Sequence, residues 1–281
     1  MTEFILTGDT GSGYKEQYYV AKSIEKLVKK HPRIKSVMIV GDNIYPNGCH
    51  SVKDNQFNEK FQIPYQNIKL PFYLCLGNHD YGTMISNYSE TQIQYTFSEH
   101  NKDKKWNMPS KWYKKSFPNC DFFFIDTNFE WLSESSIQKQ LRDTIQYIKQ
   151  SKEKWKVLCG HHTWRSVGGH GNAERRHEIF MNDLLKQVKI DLYVCGHDHC
   201  KSIIEVPFKN RIIPTLVIGT GGKIYGDDNI FNLHNLSSCN SNLLFYSPNL
   251  GVCHMKATKS ALNFTCYNEE LKKEYSYTLN K

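Results

Sequence analysis

Seven short apolar segments of this chain each run into a glycine or a charged residue. They contain mainly β-branched and aromatic residues and are continuously apolar rather than alternating, which is typical of strands buried on both faces. Because most of them end at glycine, a sharp turn after each strand would let the backbone approach a ligand closely. The predicted strands are 4–7, 37–40, 72–76, 122–125, 156–159, 192–195 and 216–218.

Helical patterns lie between several of these strands. Apolar residues recur at helical spacing in segments 15–30, 133–150 and 173–188, and this alternation predicts an α/β fold with parallel or mixed sheets. Further along, 251–257, 261–267 and 275–279 are predicted to be antiparallel strands. The Asn-rich segments 85–107 and 226–242 are interpreted as loops. Because no linker or repeat is evident, we predict a single domain over residues 1–281.

The composition argues against several classes of protein. The net charge of +8 comes from lysines that are scattered along the chain, so we predict no nucleic-acid partner. No apolar stretch approaches the roughly 18 residues of a membrane-spanning helix, so we predict no membrane association. The first residues lack the basic and apolar regions of a signal peptide, which predicts a cytoplasmic protein, or a secreted or lysosomal one if the sequence is a mature form.

Polar side chains suited to metal binding follow the predicted strands. One aspartate after a strand is usually a turn former, and two histidines separated by one residue are weak evidence alone. Seven such residues together indicate a shared site, because ligands collect outside the carboxyl ends of strands in an open α/β sheet. Their side chains are hard to borderline donors for first-row metals. They are Asp9, Asp42, Asn78, His79, His161, His197 and His199.

These strand-end motifs resemble the five ordered sequence blocks of the purple acid phosphatases, in particular the small tartrate-resistant type within the calcineurin-like metallophosphoesterases. The blocks read Gly8-Asp9, Gly41-Asp42-Asn43-Ile44-Tyr45, Gly77-Asn78-His79-Asp80, Gly160-His161 and Gly196-His197-Asp198-His199. The later sequence is also similar to that family, so the resemblance covers nearly the whole chain. It implies an αββα sandwich of two mixed β-sheets flanked by helices, and an acid phosphatase.

The resemblance further implies a dinuclear metal centre. Other members of the superfamily carry Asp-x-His in the first block, where this chain has Gly11, and Tyr45 stands in the second block. Because a free phenol has a pKa of about 10, its binding as phenolate favours a strongly polarising ion such as Fe(III). We therefore expect Fe(III) with a divalent metal, which is Fe(II), Zn or Mn. By resemblance, Asp9, Tyr45 and His199 bind the first metal, Asn78, His161 and His197 bind the second, and Asp42 bridges both.

The expected reaction is hydrolysis of a phosphomonoester by in-line attack of a metal-bound hydroxide. By resemblance, His79 donates a proton to the leaving group. Asp80, its neighbour in sequence, is expected to orient the His79 imidazole. His170 corresponds to a second substrate-facing histidine of the family, and Asn78 and His79 also contact the substrate. The expected substrate is a small phosphomonoester or a phosphorylated peptide, and the protein is expected to be a monomer.

Two other functions stay open at this point. A phosphodiesterase or nucleotide pyrophosphatase would use the same metals, whereas an inactive scaffold or a polyanion-binding protein would need no turnover. Metal-donor residues at every block argue against the scaffold. Arg165 lies in a segment that departs from the family pattern, and we expect it on the surface rather than at the substrate phosphate.

Overall fold

The computed structural model describes residues 1–83, 86–224 and 231–281. The strands of these ranges are β1 (Thr2–Thr7), β2 (Ile34–Ile39), β3 (Phe72–Leu74), β4 (Gly82–Thr83), β5 (Ser86–Asn87), β6 (Trp106–Asn107), β7 (Tyr113–Phe117) and β8 (Cys120–Phe124). They continue with β9 (Trp155–Cys159), β10 (Leu192–Cys195), β11 (Lys201–Phe208), β12 (Arg211–Ile218), β13 (Asn242–Ser247), β14 (Gly251–Ala257), β15 (Ala261–Asn268) and β16 (Lys273–Asn280). The helices are α1 (Lys15–Lys30), α2 (Ser89–Phe97), α3 (Glu134–Gln150), α4 (Arg175–Gln187) and α5 (His234–Ser237).

Most strands belong to two mixed sheets. The first has the order β16-β15-β14-β1-β2-β3-β6, in which β1, β2, β3 and β6 are parallel and the other three strands are antiparallel. The second has the order β13-β11-β12-β10-β9-β8-β7, with β12, β10, β9 and β8 parallel at its centre. Strands β4 and β5 form a separate hairpin. The predicted change to antiparallel strands after residue 219 is confirmed.

The two sheets pack face to face, and helices cover their outer faces. Phe122 and Phe124 of β8 lie in the core between the sheets, where the Phe122 ring is 4.8 Å from that of Phe4 on β1. Phe123 belongs to a second core that includes apolar residues of α3 and α4. This division follows from the alternation of side chains along a strand. Since α1 packs against β14 of the first sheet, the predicted αββα sandwich is confirmed.

The three predicted helices are present with small changes of boundary. Helix α1 has the predicted bounds, and α3 begins one residue later because Ser133 is its N-cap, with Oγ accepting a hydrogen bond from Ser136 N at 3.2 Å. The interpretation of 85–107 as a loop is wrong, since this segment contains α2 and short strands. In the second Asn-rich segment, residues 226–230 lie outside the described residues, and α5 occupies part of the remainder.

The carboxyl ends of the central strands of both sheets meet at one edge of the sandwich. His161, which follows β9 of the second sheet, places Nδ1 2.9 Å from the carbonyl oxygen of Val40, which follows β2 of the first sheet. Nearby, Gly221 N donates to Gly8 O at 2.9 Å. These contacts bring residues that are distant in sequence to a common edge, where the candidate site lies.

Candidate metal centre

Three strand-end residues have a left-handed backbone conformation. The φ angles are 57° for Asp9, 52° for Asp42 and 68° for His197. Such angles are uncommon for residues that carry a Cβ, and they concentrate at functional sites where the surrounding structure enforces them. The chain therefore turns sharply after β1, β2 and β10, in a conformation that local sequence preferences alone would not select.

Glycines at the strand ends leave room for the two aspartates. A Cβ on Gly196 would lie 2.2 Å from Asp9 Oδ2, and a Cβ on Gly77 would lie 2.1 Å from Asp42 Oδ1. Real Cβ atoms do not approach oxygen this closely, so the carboxylates occupy space that only glycine leaves free. The recurrence of glycine before the polar residues therefore reflects close packing at the site.

The first donor group brings together the three residues predicted to bind the first metal. The Tyr45 hydroxyl lies 3.1 Å from Asp9 Oδ1 and 3.3 Å from His199 Nε2, and the last two atoms are 3.5 Å apart. Asp9 and Tyr45 are almost fully buried. A carboxylate, a phenol and an imidazole from β1, the loop after β2 and the loop after β10 therefore converge on one point.

The second donor group lies beside the first. His161 Nε2 is 3.0 Å from Asn78 Oδ1 and 3.4 Å from Asp42 Oδ1, and the His197 ring centroid is 5.1 Å from that of His161. Asp42 links the two groups, because donor atoms of Asp9, Asp42 and His161 all lie within 4.8 Å of one another. All seven predicted metal ligands are therefore found together, although their binding of metal stays a prediction.

The protein fixes the orientation of the second group through hydrogen bonds outside it. The Val40 carbonyl can only accept, so His161 Nδ1 carries the proton and Nε2 faces the other donors. Burial disfavours charge on His161 and Asp42, but their mutual attraction outweighs it, raising the pKa of His161 to about 10 and lowering the pKa of Asp42. Burial also lowers the pKa of His197, which favours the neutral imidazole that metals bind.

The chemistry of the donors fits a pair of cations. Burial and then the charges of Asp42 and Asp9 raise the pKa of the Tyr45 phenol above its usual value. Without a compensating cation, this hydroxyl therefore stays protonated beside two buried carboxylates. Buried carboxylates are normally paired with charges or coordinate metals, because burial of an isolated charge is costly. Oxygen and imidazole donors of this kind suit first-row metals.

His79 and Asp80 do not interact as the sequence predicted. His79 Nδ1 lies 2.6 Å from the carbonyl oxygen of Pro46, so a backbone group orients its imidazole. The buried Asp80 carboxylate instead accepts backbone hydrogen bonds from Gly77 N at 2.8 Å and Asn43 N at 3.0 Å. The predicted role of Asp80 as the orienting partner of His79 is therefore wrong, because this carboxylate holds the loops after β2 and β3 together.

His170 lies at the opening of the site. Its ring stacks on that of His197 with a centroid distance of 3.9 Å, and its backbone N donates to Asp198 Oδ1 at 2.8 Å. Gly168 is buried in the same loop, where a Cβ would lie 2.4 Å from Asp198 Cγ. The imidazole is exposed while its backbone is fixed, which places His170 where a substrate would enter.

A cavity of about 300 Å³ adjoins the second donor group. Asn78, His170 and His197 form the part of its wall that is shared with the candidate centre. Phe129 and Trp131 supply apolar surface on another side. The cavity therefore offers room for an organic group attached to a phosphate at the metal centre.

Two cationic residues differ from what the sequence suggested. Lys223 was not singled out, yet its Nζ lies 4.2 Å from the centroid of the Tyr45 ring, next to the first donor group. The only sequence signal for Lys223 was that it directly follows Gly221-Gly222, a pair of glycines shortly after a predicted strand. Arg165 is neither a free surface residue nor a phosphate ligand, because its guanidinium forms a two-pronged ion pair with Glu178 at 2.7 and 3.0 Å.

Comparison with known families decides the classification. The family model described as calcineurin-like phosphoesterase matches residues 2–201. The chain belongs to this family. Among named calcineurin-like phosphoesterases, it is 28% identical to purple acid phosphatase 4 of Arabidopsis thaliana, covering 94% of this chain and 79% of that protein. It is 31% identical to purple acid phosphatase 7 of the same plant, covering 79% and 70% of the two chains. The resemblance inferred from the motifs and the assignment to the hydrolases are confirmed.

Other comparisons add one more distant relative and two structures with the same fold. Tartrate-resistant acid phosphatase type 5 of Sus scrofa is 26% identical, over 70% of this chain and 63% of that protein. A solved structure of GAP50, described as the anchor in the inner membrane complex of Plasmodium, has a TM-score of 0.81 at 20% identity and covers 99% of this chain and 88% of its own. Purple acid phosphatase PPD1 from yellow lupin has a TM-score of 0.75 at 15% identity, covering 99% and 53%. Both structural likenesses establish the fold.

No helix in the described ranges of the chain has the length and apolar character needed to cross a membrane.

Proposed function

We propose that this phosphoesterase is an acid phosphatase that hydrolyses phosphomonoesters at a dinuclear Fe(III)–M(II) centre. The observation that carries the proposal is the Tyr45 hydroxyl, which lies within hydrogen-bond distance of both Asp9 and His199. A phenol whose pKa is raised by burial binds as phenolate only to a strongly polarising cation, which favours Fe(III) over a divalent ion at this position.

The donor groups indicate how the two ions would be held. Asp42 would contact both ions, because its carboxylate lies between the two groups. When bound, the ions would supply positive charge to the phosphoryl oxygens and lower the pKa of nearby water. The first ion would be held by Asp9, Tyr45 and His199, and the second, which is Fe(II), Zn or Mn, by Asn78, His161 and His197.

His79 is the proposed proton donor to the leaving group. Because its Nδ1 donates to the Pro46 carbonyl, the ring nitrogen that exchanges a proton with the substrate is Nε2. Its ring centroid lies 4.4 Å from that of Tyr45, so the imidazole borders the first donor group. A positioned acid of this kind contributes about 10²–10⁴-fold to the rate when the leaving group is basic.

The remaining residues of the opening would orient the substrate. Asn78 and His170 border both the donor groups and the cavity, so they are placed to contact a phosphate and direct its organic group into the cavity. Lys223 adds a positive charge beside Tyr45. A small phosphomonoester or a phosphorylated side chain of a peptide fits this arrangement.

The test measures activity, metal content and colour in one preparation of iron-loaded enzyme. We expect about two metal ions per chain, a visible charge-transfer band, and faster hydrolysis of p-nitrophenyl phosphate than of bis(p-nitrophenyl) phosphate. Asp42→Asn should lose metal and activity together. Asp183→Asn, which removes an exposed carboxylate paired with Lys186, is the matched control and should retain both.

Two results would contradict the proposal. Preference for the diester would replace the monoesterase with the phosphodiesterase alternative. Fewer than one ion per chain, with no hydrolysis of either ester, would favour a scaffold.

A monomeric state and a cytoplasmic location stay predictions, which gel filtration and fractionation of cells test directly.

A further inference from the structure

A second group of metal-binding residue types lies at the far end of β1. Glu3 is near the start of this six-residue strand and Asp9 follows its end, so the strand separates the two groups by about 20 Å. The group consists of Glu3, His31 and His254, whose donor atoms all lie within 4.8 Å of one another. These residues take no part in the proposed phosphatase reaction.

Three separate elements bring the group together. In the antiparallel pair of β1 and β14, Glu3 is opposite Lys256, so Glu3 and His254 are diagonal neighbours on one face. His31 is the C-cap of α1, where its backbone N donates to Leu27 O at 2.8 Å. The side chains therefore meet between the end of α1 and the outer face of the first sheet.

The distance from Glu3 to His31 is close to the spacing of ligands around one ion, and the distance from Glu3 to His254 is that of a hydrogen bond. Glu3 Oε2 lies 2.9 Å from His254 Nε2 and 3.6 Å from His31 Nδ1. Donors bound at about 2.0–2.1 Å to a tetrahedral ion stand about 3.4 Å apart. The His31 contact with Glu3 is too long for a hydrogen bond, and the His31 ring packs against the His254 ring with a centroid distance of 4.4 Å.

Exposure of the three residues leaves one side of the group open. The Glu3 and His254 side chains are 5% and 1% exposed, whereas His31 is 22% exposed. An ion could therefore enter from the side of His31 and keep a water as its fourth ligand. The C-terminal end of α1 adds the negative end of the helix dipole nearby.

The Glu3 carboxylate attracts a cation to this group, whereas two nearby lysines repel one. Lys256 acts on both histidines and Lys30 on His31, and each repels a cation. Burial, with a smaller contribution from these charges, lowers the pKa of His254 to about 4 and lowers the pKa of His31. Both imidazoles are therefore neutral at pH 7, the form in which histidine binds metals.

We infer that Glu3, His31 and His254 form a second metal site, separate from the phosphatase centre, that binds one divalent transition metal such as Zn²⁺. Two imidazole nitrogens and one carboxylate oxygen suit Zn²⁺ and its first-row neighbours rather than Mg²⁺ or Ca²⁺. Because the ligands come from α1, β1 and β14, the ion would tie the helix to the sheet.

The test compares zinc uptake by the metal-loaded enzyme and by His31→Asn. This substitution is at a partly exposed helix C-cap, whose hydrogen bond to Leu27 O is made by the backbone and does not need the imidazole. At micromolar free Zn²⁺ we expect wild type to bind one more ion per chain than the variant. Loss of a direct ligand should raise the Kd by more than the roughly 100-fold that outer partners contribute. Zinc that exchanges into the phosphatase centre does so equally in wild type and variant, so it cancels when their zinc contents are subtracted.

Two further variants make the result decisive. His234→Asn removes an exposed histidine and should bind zinc as wild type does. Glu3→Gln keeps the hydrogen-bonding shape of the side chain but removes its charge, and should lose the additional ion while phosphatase activity is retained. Equal zinc binding by wild type and His31→Asn would overturn the inference, as would wild type that takes up no additional ion. A purely structural group would change unfolding temperature in the variants without changing zinc stoichiometry.

Discussion

At the scale of single residues, Tyr45 is the donor whose proton bears most directly on which ion the proposed centre would bind. Its hydroxyl contacts Asp9 and His199, and burial together with Asp42 and Asp9 raises the pKa of the phenol. Ionisation of this group would therefore be coupled to the binding of a cation with high charge. A neutral imidazole at this position could bind a divalent ion directly, whereas the phenol of Tyr45 must first lose its proton.

Tyr45→Phe tests this coupling, because it removes the hydroxyl and keeps the buried ring. We expect the iron-loaded variant to lose the visible charge-transfer band and to bind Fe(III) at least about tenfold more weakly, as expected for loss of a donor. Visible spectroscopy and iron analysis of parallel preparations measure both effects. An unchanged band in a variant that contains iron would show that the phenol is not a ligand.

His79 provides a second test at this scale, through its dependence on the leaving group. His79→Asn should slow hydrolysis of alkyl phosphates by about 10²–10⁴-fold, because their leaving groups need a proton. Hydrolysis of p-nitrophenyl phosphate should slow much less, since p-nitrophenolate leaves without protonation. The kcat of wild type and variant on both substrates gives the comparison, and an equal loss on both would argue against the role of a proton donor.

The residues of the site were more predictable than their contacts. The seven predicted metal donors converge because each follows a strand whose end lies at the same edge of the sandwich. Such strand ends can be recognised in the sequence as an apolar run followed by glycine. The contact of His79 with Pro46 and the position of Lys223 beside Tyr45 depend on how loops from different elements pack. Sequence adjacency suggested Asp80 as the partner of His79, but its buried carboxylate satisfies backbone N–H groups instead.

At the scale of elements, strands buried on both faces were predictable and partly polar elements were not. Strand β7 carries Lys114 and Lys115 because it is the edge of its sheet, where charged side chains block further pairing. Strand β11 contains the buried Lys201, whose charge is paired with Glu274 of β16 at 3.1 Å. Helix α2 buries Gln92, which donates to Asp80 Oδ1 at 2.8 Å. In β11 and α2 a partner on another element replaces the hydrophobic signal.

The turn after β10 gives a prediction at the scale of elements. In Gly196→Ala, the new Cβ would overlap Asp9 Oδ2, which also accepts a hydrogen bond from His197 N at 3.1 Å. We expect displacement of Asp9, loss of iron from the purified enzyme and a free energy of unfolding lower by about 1–3 kcal/mol. Iron analysis and guanidinium unfolding measure these effects. Gly169→Ala, at an exposed position, is the control, and full iron content in Gly196→Ala would contradict the argument.

At the scale of the whole molecule, the site exists because two sheets meet at their carboxyl edges. Asp9, Asp42 and Asn78 follow strands of the first sheet, and His161 and His197 follow strands of the second. Neither sheet supplies a full donor set for either ion. Binding of the proposed ions would therefore be coupled to the relative position of the sheets, and its free energy would also stabilise the packing of the sandwich.

A buried histidine outside the donor groups makes stability depend on pH. The His177 ring lies between Phe129 and Tyr193, with centroid distances of 5.5 and 6.1 Å, and neither ring nitrogen has a hydrogen-bond partner in the described part of the chain. Burial lowers the pKa of His177 to about 3, against about 6.5 in an unfolded chain. Between these values the unfolded state binds more protons, so acid favours unfolding.

His177→Gln should therefore flatten the pH dependence of unfolding. As the pH falls from about 6.5, His177 should lower the free energy of unfolding of wild type by up to about 1.4 kcal/mol per pH unit, and this contribution should be absent from the variant. Guanidinium unfolding of both proteins at pH 7 and pH 5, at equal metal loading, gives the change in the free energy of unfolding with pH for each. Any loss of metal in acid affects both proteins equally and cancels when the two changes are subtracted. His234→Gln removes an exposed imidazole and should keep the slope of wild type. Equal slopes for wild type and His177→Gln would mean that His177 accepts a proton inside the folded protein, and the surrounding core would then have to admit water or a counter-charge.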